Sequence, residues 1–422
     1  MSSKRPIRLG LCFALGLAAP AAAEPWSRGF VVSRFEPAFY FGGSEIKTAD
    51  GVRRATGAKG TDCPDGIHTR TLLQKLSITS WAKKEDIEMQ ANSDPGAREE
   101  SAKKGMSIGA ALAQRGFRPG VNTYYSMWAA IDGGMQEVGG SRADGFNLDG
   151  NRKTGGFTDA AGQAGIDNAW YRAVGCLITW RGGVAGPSLN SGTADSIRKS
   201  GAWTNTVIRI SGTQNPANDP NVTVEIAWTP DGAVADASGD LADGYSFRMA
   251  TGPRYTKLRG KIVNGVIETE VVPQLRTSAP AGVEPAAVEL VLGQGRMRLE
   301  MTPSGGLNGL MGGYAKWWEL YMADAFDFSP GTKDRLQDGD DLAEYYALRR
   351  NADAEPDEAG RNTALSTAWY ISAVPAFVVD PEIPITAPKH LFPEQNRRRE
   401  LFMKTLQNKE LLGFDGNQVR LN

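Results

Sequence analysis

The stretch Lys261-Ile-Val-Asn-Gly-Val-Ile-Glu268 decides the fold. Asn-Gly is the dipeptide that best tolerates the two left-handed residues of a type I′ turn, and short β-branched runs flank it, so the segment predicts a tight β-hairpin. Working outward, a two-residue apolar period recurs at Ile208/Ile210, at Val222/Val224/Ile226/Trp228 and at Tyr245/Phe247/Met249. Downstream, Gly293-Gln-Gly295 separates Val288/Leu290/Leu292 from Met297/Leu299/Met301 and predicts a second hairpin. Strands with one wet face must cover the other. Consecutive hairpins therefore imply a mainly β fold, an antiparallel β-sandwich or open barrel with a few peripheral helices.

Other segments fill in around this sheet. Ala368-Trp-Tyr-Ile-Ser-Ala-Val374 reads as a further strand, whereas the glycine-rich run Gly305 to Tyr314 interrupts the strand pattern and leads into a helix at Lys316 to Ala325. Those glycines suit close backbone packing better than a phosphate cradle, because no Gly-Lys-Ser/Thr ending follows. Trp317 and Trp318 are adjacent, so a single helix face cannot bury both. Further helices are predicted at Lys83 to Gln90, at Ala97 to Gln114 with Gly116 as the stop, at Asp341 to Arg350, and at Pro393 to Leu412. The resulting organisation is a leader over 1–23, a mixed irregular and helical N-terminal layer over 24–120, a β-rich main domain over 121–380, and a proline-rich connector with a C-terminal helix over 381–422.

The leader has the three parts of a secretory signal. Lys4, Arg5 and Arg8 precede an apolar run from Leu9 to about Leu17, and Ala21-Ala22-Ala23 supplies a small-residue cleavage site. Cleavage near Ala23 predicts a periplasmic or secreted protein. No later apolar run reaches the roughly 18 residues a transmembrane helix needs, so no membrane anchor is expected after cleavage. The mature chain keeps 44 basic residues against 48 acidic ones, a formal charge of −4. Nucleic acid is excluded as a partner on that balance, since the short run Arg397 to Arg399 is too small to neutralise a phosphate backbone.

Only Cys63 and Cys176 outlast the leader. An even pair in an oxidising compartment predicts one disulfide, which would close a loop of more than a hundred residues and contribute about 4 kcal/mol in the chain-entropy account. The alternative is two buried thiols acting as small apolar side chains. His68 and His390 are the only histidines, and neither has a second ligand at zinc spacing, which removes classical zinc chemistry. Gly105-Met-Ser107-Ile-Gly109 matches a nucleophile elbow, but the polar Ser101-Ala-Lys-Lys104 stands where a hydrophobic strand should lead into the serine.

The densest set of polar residues is Asp144-Gly-Phe-Asn-Leu-Asp-Gly-Asn151, followed by Thr158-Asp159 and Gly165-Ile-Asp-Asn168. Asn147, Asp149 and Asn151 alternate, so an extended loop could aim them one way, and Asp159, Asp167 and Asn168 could close around the same point as a calcium site. The competing reading is a loop network of Asx turns without any ion. Asp353, Glu355 and Asp357 form a second candidate calcium set. An EF-hand is excluded there, because Glu358 and Ala364 occupy the positions that need glycine and glutamate.

Phe146-Asn-Leu-Asp-Gly150, Gly165-Ile-Asp-Asn168 and Tyr171-Arg-Ala-Val-Gly-Cys176 resemble patches of a family of uncharacterised exported bacterial proteins. Ala352 to Asp357, Thr363 to Ser366 and Ala373 to Phe377 carry the same resemblance. It implies export and a shared scaffold, with no catalytic residue. A non-enzymatic binding or envelope-associated protein is the leading expectation, its partner a small molecule, a glycan or another envelope protein. A carboxylate-dependent glycan hydrolase and a structural or assembly component of the envelope are the alternatives; the hydrolase would need paired carboxyl groups in one cleft.

Overall fold

The computed structural model describes residues 25–40, 45–47, 53–55, 62–64, 95–105, 135–152, 156–177, 206–232, 234–237, 240–281, 284–327, 335–336 and 341–388, with isolated positions 88, 92 and 111. The leader, His68, Ser107, His390 and the expected helix over 393–412 lie outside the described residues, as does nearly all of the helix expected over 83–90.

Nine strands carry the architecture: β1 (Trp26–Pro37), β2 (Thr206–Gly212), β3 (Asp219–Trp228), β4 (Thr256–Val263), β5 (Val266–Thr269), β6 (Val272–Ala281), β7 (Glu284–Met301), β8 (Leu307–Lys316) and β9 (Asn362–Val379). All but β6 close into an antiparallel barrel in the order β1-β2-β3-β4-β5-β7-β8-β9, with β9 paired back onto β1. β6 pairs with the first half of β7 outside that ring. The expected open barrel is thus a closed one. The segment assigned to an N-terminal layer supplies the closing strand, because β1 is hydrogen-bonded to β2 on one side and β9 on the other.

Alternation explains the interior. Directly paired residues share a face, and the pairs Ile210↔Val224 and Val224↔Leu258 continue into the inward ring Ile262↔Ile267↔Leu299, then Gly309, Ile371 and Phe35. Every apolar member is buried in one continuous core. The interior of the barrel is thus filled by side chains, and each buried aliphatic chain contributes about 1.5–3 kcal/mol.

The Asn264-Gly265 hairpin forms as predicted, with both residues in the left-handed region at φ 51° and 81°. Gly293-Gln-Gly295 is no hairpin. Gln294 alone takes positive φ, at 51°, where a type I′ turn needs two such residues, and the pairing with β8 shifts register there. The result is a β-bulge inside the continuous β7. Gly295 is required at that bend, because a Cβ on it would lie 2.2 Å from Cβ of Leu275.

The glycine-rich run also differs from expectation, since most of it is the barrel strand β8. Close packing is its physical reason: a Cβ at Gly309 would meet the Arg298 carbonyl oxygen at 2.2 Å. Tyr245/Phe247/Met249 forms only a short strand, Ser246–Arg248, laid parallel to the end of β9 outside the barrel. Phe247 and Met249 are buried there and Tyr245 is exposed.

Helix α1 (Pro95–Lys104) is broken off at Gly105, which takes φ 63°, while Ala111 of the same expected span is again helical and the residues around it lie outside the described ones. Three further helices, α2 (Ala169–Val174), α3 (Trp317–Ala325) and α4 (Asp341–Asn351), pack on one another and against the barrel. Trp170 is buried against Phe39 and Trp369, with ring centroids 5.0 and 4.6 Å away. Trp317 and Trp318 are both buried, contrary to the sequence reading. Adjacent residues can both be covered because α3 packs on more than one side: Trp317 meets Tyr345 of α4 edge-on, and Lys316 lies over the Trp318 ring. Among the described residues no helix is long and apolar enough to cross a membrane.

Cys63 and Cys176 form the expected disulfide, 113 residues apart in sequence with Cα atoms 5.8 Å apart. It fastens the 62–64 segment to the end of α2. Tyr171 reinforces the join by donating its hydroxyl to Asp62 Oδ2 at 2.7 Å.

Candidate functional site

The Asx- and Gly-rich segment, residues 144–168, lies as a strap over the outer wall of β8 and β9. Its apolar residues explain why it stays there. Phe146 packs against Leu310 and Ala368, and Leu148 packs against Tyr314 and Ala364, so both cover outward-facing barrel residues. Gly312 makes room for the contact, because a Cβ there would lie 2.5 Å from the Phe146 ring.

The polar residues of the strap bind mostly backbone. Asp167 Oδ2 accepts the amides of Leu148 at 2.7 Å and Asp149 at 3.3 Å, while its own amide donates to the Phe146 carbonyl. Asp149 Oδ1 accepts the Asn151 amide at 2.6 Å, and Asp159 Oδ1 accepts those of Ala161 and Gln163. Asn168 is the N-cap of α2: its Oδ1 accepts from the Tyr171 amide, and its Nδ2 donates to the carbonyls of Ala38 and Asp144. Arg296 donates to the carbonyls of Asn147 and Leu148 at 3.2 and 3.4 Å. These are the geometries of Asx turns and caps.

The second acidic set splits three ways. Asp353 accepts the Ser366 amide at 2.7 Å and its hydroxyl at 2.6 Å, and the same hydroxyl accepts the Ala169 amide at the start of α2. Glu355 pairs with Lys316 at 2.6 Å, and Asp357 pairs with Arg361 at 2.8 Å while capping its own turn. Asp353 nevertheless approaches the strap. Asp149, Asp167 and Asp353 all act on buried Tyr314, although 186 residues separate Asp167 from Asp353 in sequence. Among the described residues no group of three or more His, Cys, Asp or Glu side chains converges with metal-holding geometry.

Burial sets the protonation of this wall. It pushes the Tyr314 hydroxyl above its ordinary range, and the three carboxylates push the same way. Burial also raises Asp353 despite its Ser366 hydrogen bonds, and raises Asp167 despite two backbone amides. Both carboxyls thus titrate higher in the folded chain than in the unfolded one. The stability they contribute is complete below the ordinary carboxylate range and is lost as pH rises through the raised values. Asp353→Asn removes one of the two groups. The wild type should therefore lose stability relative to that variant as the buffer goes from about pH 4 to about pH 7, measured by paired thermal melts. A difference that stays flat would show that Asp353 is not held in a desolvated wall.

A separate groove opens elsewhere on the barrel exterior, with a volume of about 480 Å³. Three regions of chain build it. The bulge in β1 puts Ser33 beside β9, where its hydroxyl donates to the Ser372 carbonyl at 3.1 Å. The turn between β7 and β8 brings Thr302 and Ser304, whose hydroxyls are 2.9 Å apart, next to Asn308. The 236–243 loop supplies Asp236 and Asp243 and is tied to β9 through the Gly244 amide, which donates to the Pro375 carbonyl at 2.8 Å. Leu241, Leu307, Ala373, Val374 and Pro375 provide the apolar part of the lining.

None of these groove residues was expected from sequence to belong to a site, although Leu307 and Asn308 lie in the glycine-rich run and Ser372 to Pro375 in the segments read as a strand and as a family resemblance. Ser33 and Ser372 are polar positions within strands, and Asp243-Gly244 is an ordinary turn signal, so nothing in the linear order joins them. No family model, curated protein or solved structure matches the chain.

Proposed function

We propose that the protein acts outside the cytoplasm as a non-catalytic binding protein, taking up a small polar ligand in the external groove. The observation that carries this reading is the groove's lining: hydroxyls of Ser33, Thr302, Ser304 and Ser372, the Asn308 amide and two carboxylates around an apolar floor. A lining in which polar side chains outweigh the apolar ones suits a hydrophilic ligand, and the volume falls within the range of small-molecule sites. The barrel interior is packed, which favours the outside as the place of binding. Asp167 lies in the strap and Asp353, just after α4, is bonded to Ser366 of β9, so neither of these carboxyls belongs to the groove lining. The signal-like leader and the disulfide support an oxidising, extracytoplasmic location.

A thermal-shift panel of polyols, neutral, amino and acidic sugars, calcium and a chelator tests the reading. A ligand that binds only the folded state must raise the melting temperature. The expected result is a rise with a polyhydroxylated compound, lost in Ser304→Leu, which fills the groove. Silence across the panel would retire the proposal, and turnover of a glycan that stops in Asp243→Asn would replace binding with hydrolysis.

A further inference from the structure

We infer that the groove discriminates by charge, accepting polyhydroxylated ligands that are neutral or carry an amine and rejecting acidic ones, with Asp243 as the discriminating residue. This rests on the reading of the groove as the ligand site. The lining contains two carboxylates and no lysine, arginine or histidine, and Arg34, cross-strand from Ser372 just outside it, already has a partner, so the lining itself favours a cation over an anion. The two acids have different tasks. Asp236 is spent on its own loop: its Oδ1 accepts the Asp240 amide at 3.0 Å, and its amide donates to the Asp240 carbonyl at 2.8 Å. Asp243 makes no hydrogen bond or ion pair among the described residues, and its neighbour Gly244 is fastened to β9. A carboxylate without a partner among the described residues, on a tethered loop at the edge of a hydroxyl-lined groove, is placed to receive a ligand's ammonium or hydroxyl groups.

The hydroxyls fit the same ligand class. Ser372 can donate and accept, as a sugar hydroxyl does; Ser33, whose proton goes to the Ser372 carbonyl, offers acceptor lone pairs, one of the paired Thr302 and Ser304 hydroxyls keeps its proton for a ligand, and Asn308 adds amide donors and an acceptor. Such a lining can both give hydrogen bonds to ligand hydroxyls and take hydrogen bonds from them. It recognises hydroxyl density, and Asp243 adds the charge preference.

Isothermal titration with glucosamine, glucose and glucuronate tests this directly, because the three share a ring and differ in charge. The expected order of affinity is glucosamine, then glucose, then glucuronate. Asp243→Asn, at an exposed position, should weaken glucosamine by roughly 10-fold or more, leave glucose nearly unchanged and improve glucuronate, since a charge-assisted hydrogen bond is lost and a repulsion removed. Glucuronate binding as tightly as glucosamine, or glucosamine and glucuronate affinities unaltered by Asp243→Asn, would overturn the inference while leaving the groove as a binding site. Silence from all three sugars would overturn it too. Only silence across the whole thermal-shift panel would remove the underlying reading as well.

Discussion

Trp170→Ala lowers the unfolding free energy by about 3–5 kcal/mol, the usual loss when a large aromatic is cut to alanine inside a core. Trp170 sits where its neighbours have little room to collapse. It is 1% exposed, touches Phe39 from the segment after β1 and Trp369 from β9, and lies on a helix whose N-cap also holds the strap. Removing the indole leaves a cavity between the helical cap, Phe39 and the barrel wall at Trp369. Urea unfolding monitored by circular dichroism would show the loss as a lower midpoint with an unchanged slope. Trp170→Phe, which keeps most of the packing, should lose far less. A midpoint within error of wild type for Trp170→Ala would mean that the cap does not hold the barrel's first and last strands together.

The second large effect concerns the disulfide. Replacing Cys63 and Cys176 together with alanine frees a loop of more than a hundred residues in the unfolded chain, and the expected cost is about 4 kcal/mol. Part of that loss is local, because the bond fixes Asp62, which accepts the amides of Gly139 and Gly140 and the hydroxyl of Tyr171. Reductant should shift the wild-type denaturation midpoint down to that of the double variant and leave the variant itself unmoved. Equal midpoints for oxidised and reduced wild type would show that the crosslink contributes nothing to the folded state.

The sequence exposed the features whose physics is local. Asn264-Gly265 announced its turn because two adjacent left-handed residues have few other uses, and Val222/Val224/Ile226 announced a strand because their period is two. The disulfide followed from parity and compartment. What was hidden depends on distant partners. Gly293-Gln-Gly295 and Asn264-Gly265 look alike along the chain, and only pairing with both β6 and β8 separates a bulge from a turn. The glycines of β8 read as loop because their function is to make room for Arg298, Phe146 and Gly293, none of which is near in sequence. Barrel closure was illegible for the same reason, since Ser33 reaches Ser372 across 339 residues. The strap was recognised as a built element, and one side-chain oxygen each of Asp149, Asp159, Asp167 and Asn168 accepts backbone amides. Carboxylate and amide spacing alone does not distinguish an Asx network from a cation loop.

The groove was the least legible part of all. Its strand residues Ser33, Asn308 and Ser372 look like the wet faces of β1, β8 and β9, and Thr302, Ser304, Asp236 and Asp243 look like ordinary turn and loop residues. Only closure of the barrel sets Ser33 against Ser372 and brings the 236–243 loop beside them. Binding at this place therefore depends on the seam between the first and last barrel strands.

Native-state hydrogen exchange at that seam is the most direct measurement. With β1 paired to β9 on one side and β2 on the other, the amides of Phe30, Val31 and Val32 should exchange only with global unfolding, at the same free energy as those of Ile208, Val224 and Ile371. Fast exchange through β1 while β2, β3 and β9 remain protected would show an open sheet, and would contradict both the closed barrel and the groove built on its closing strand.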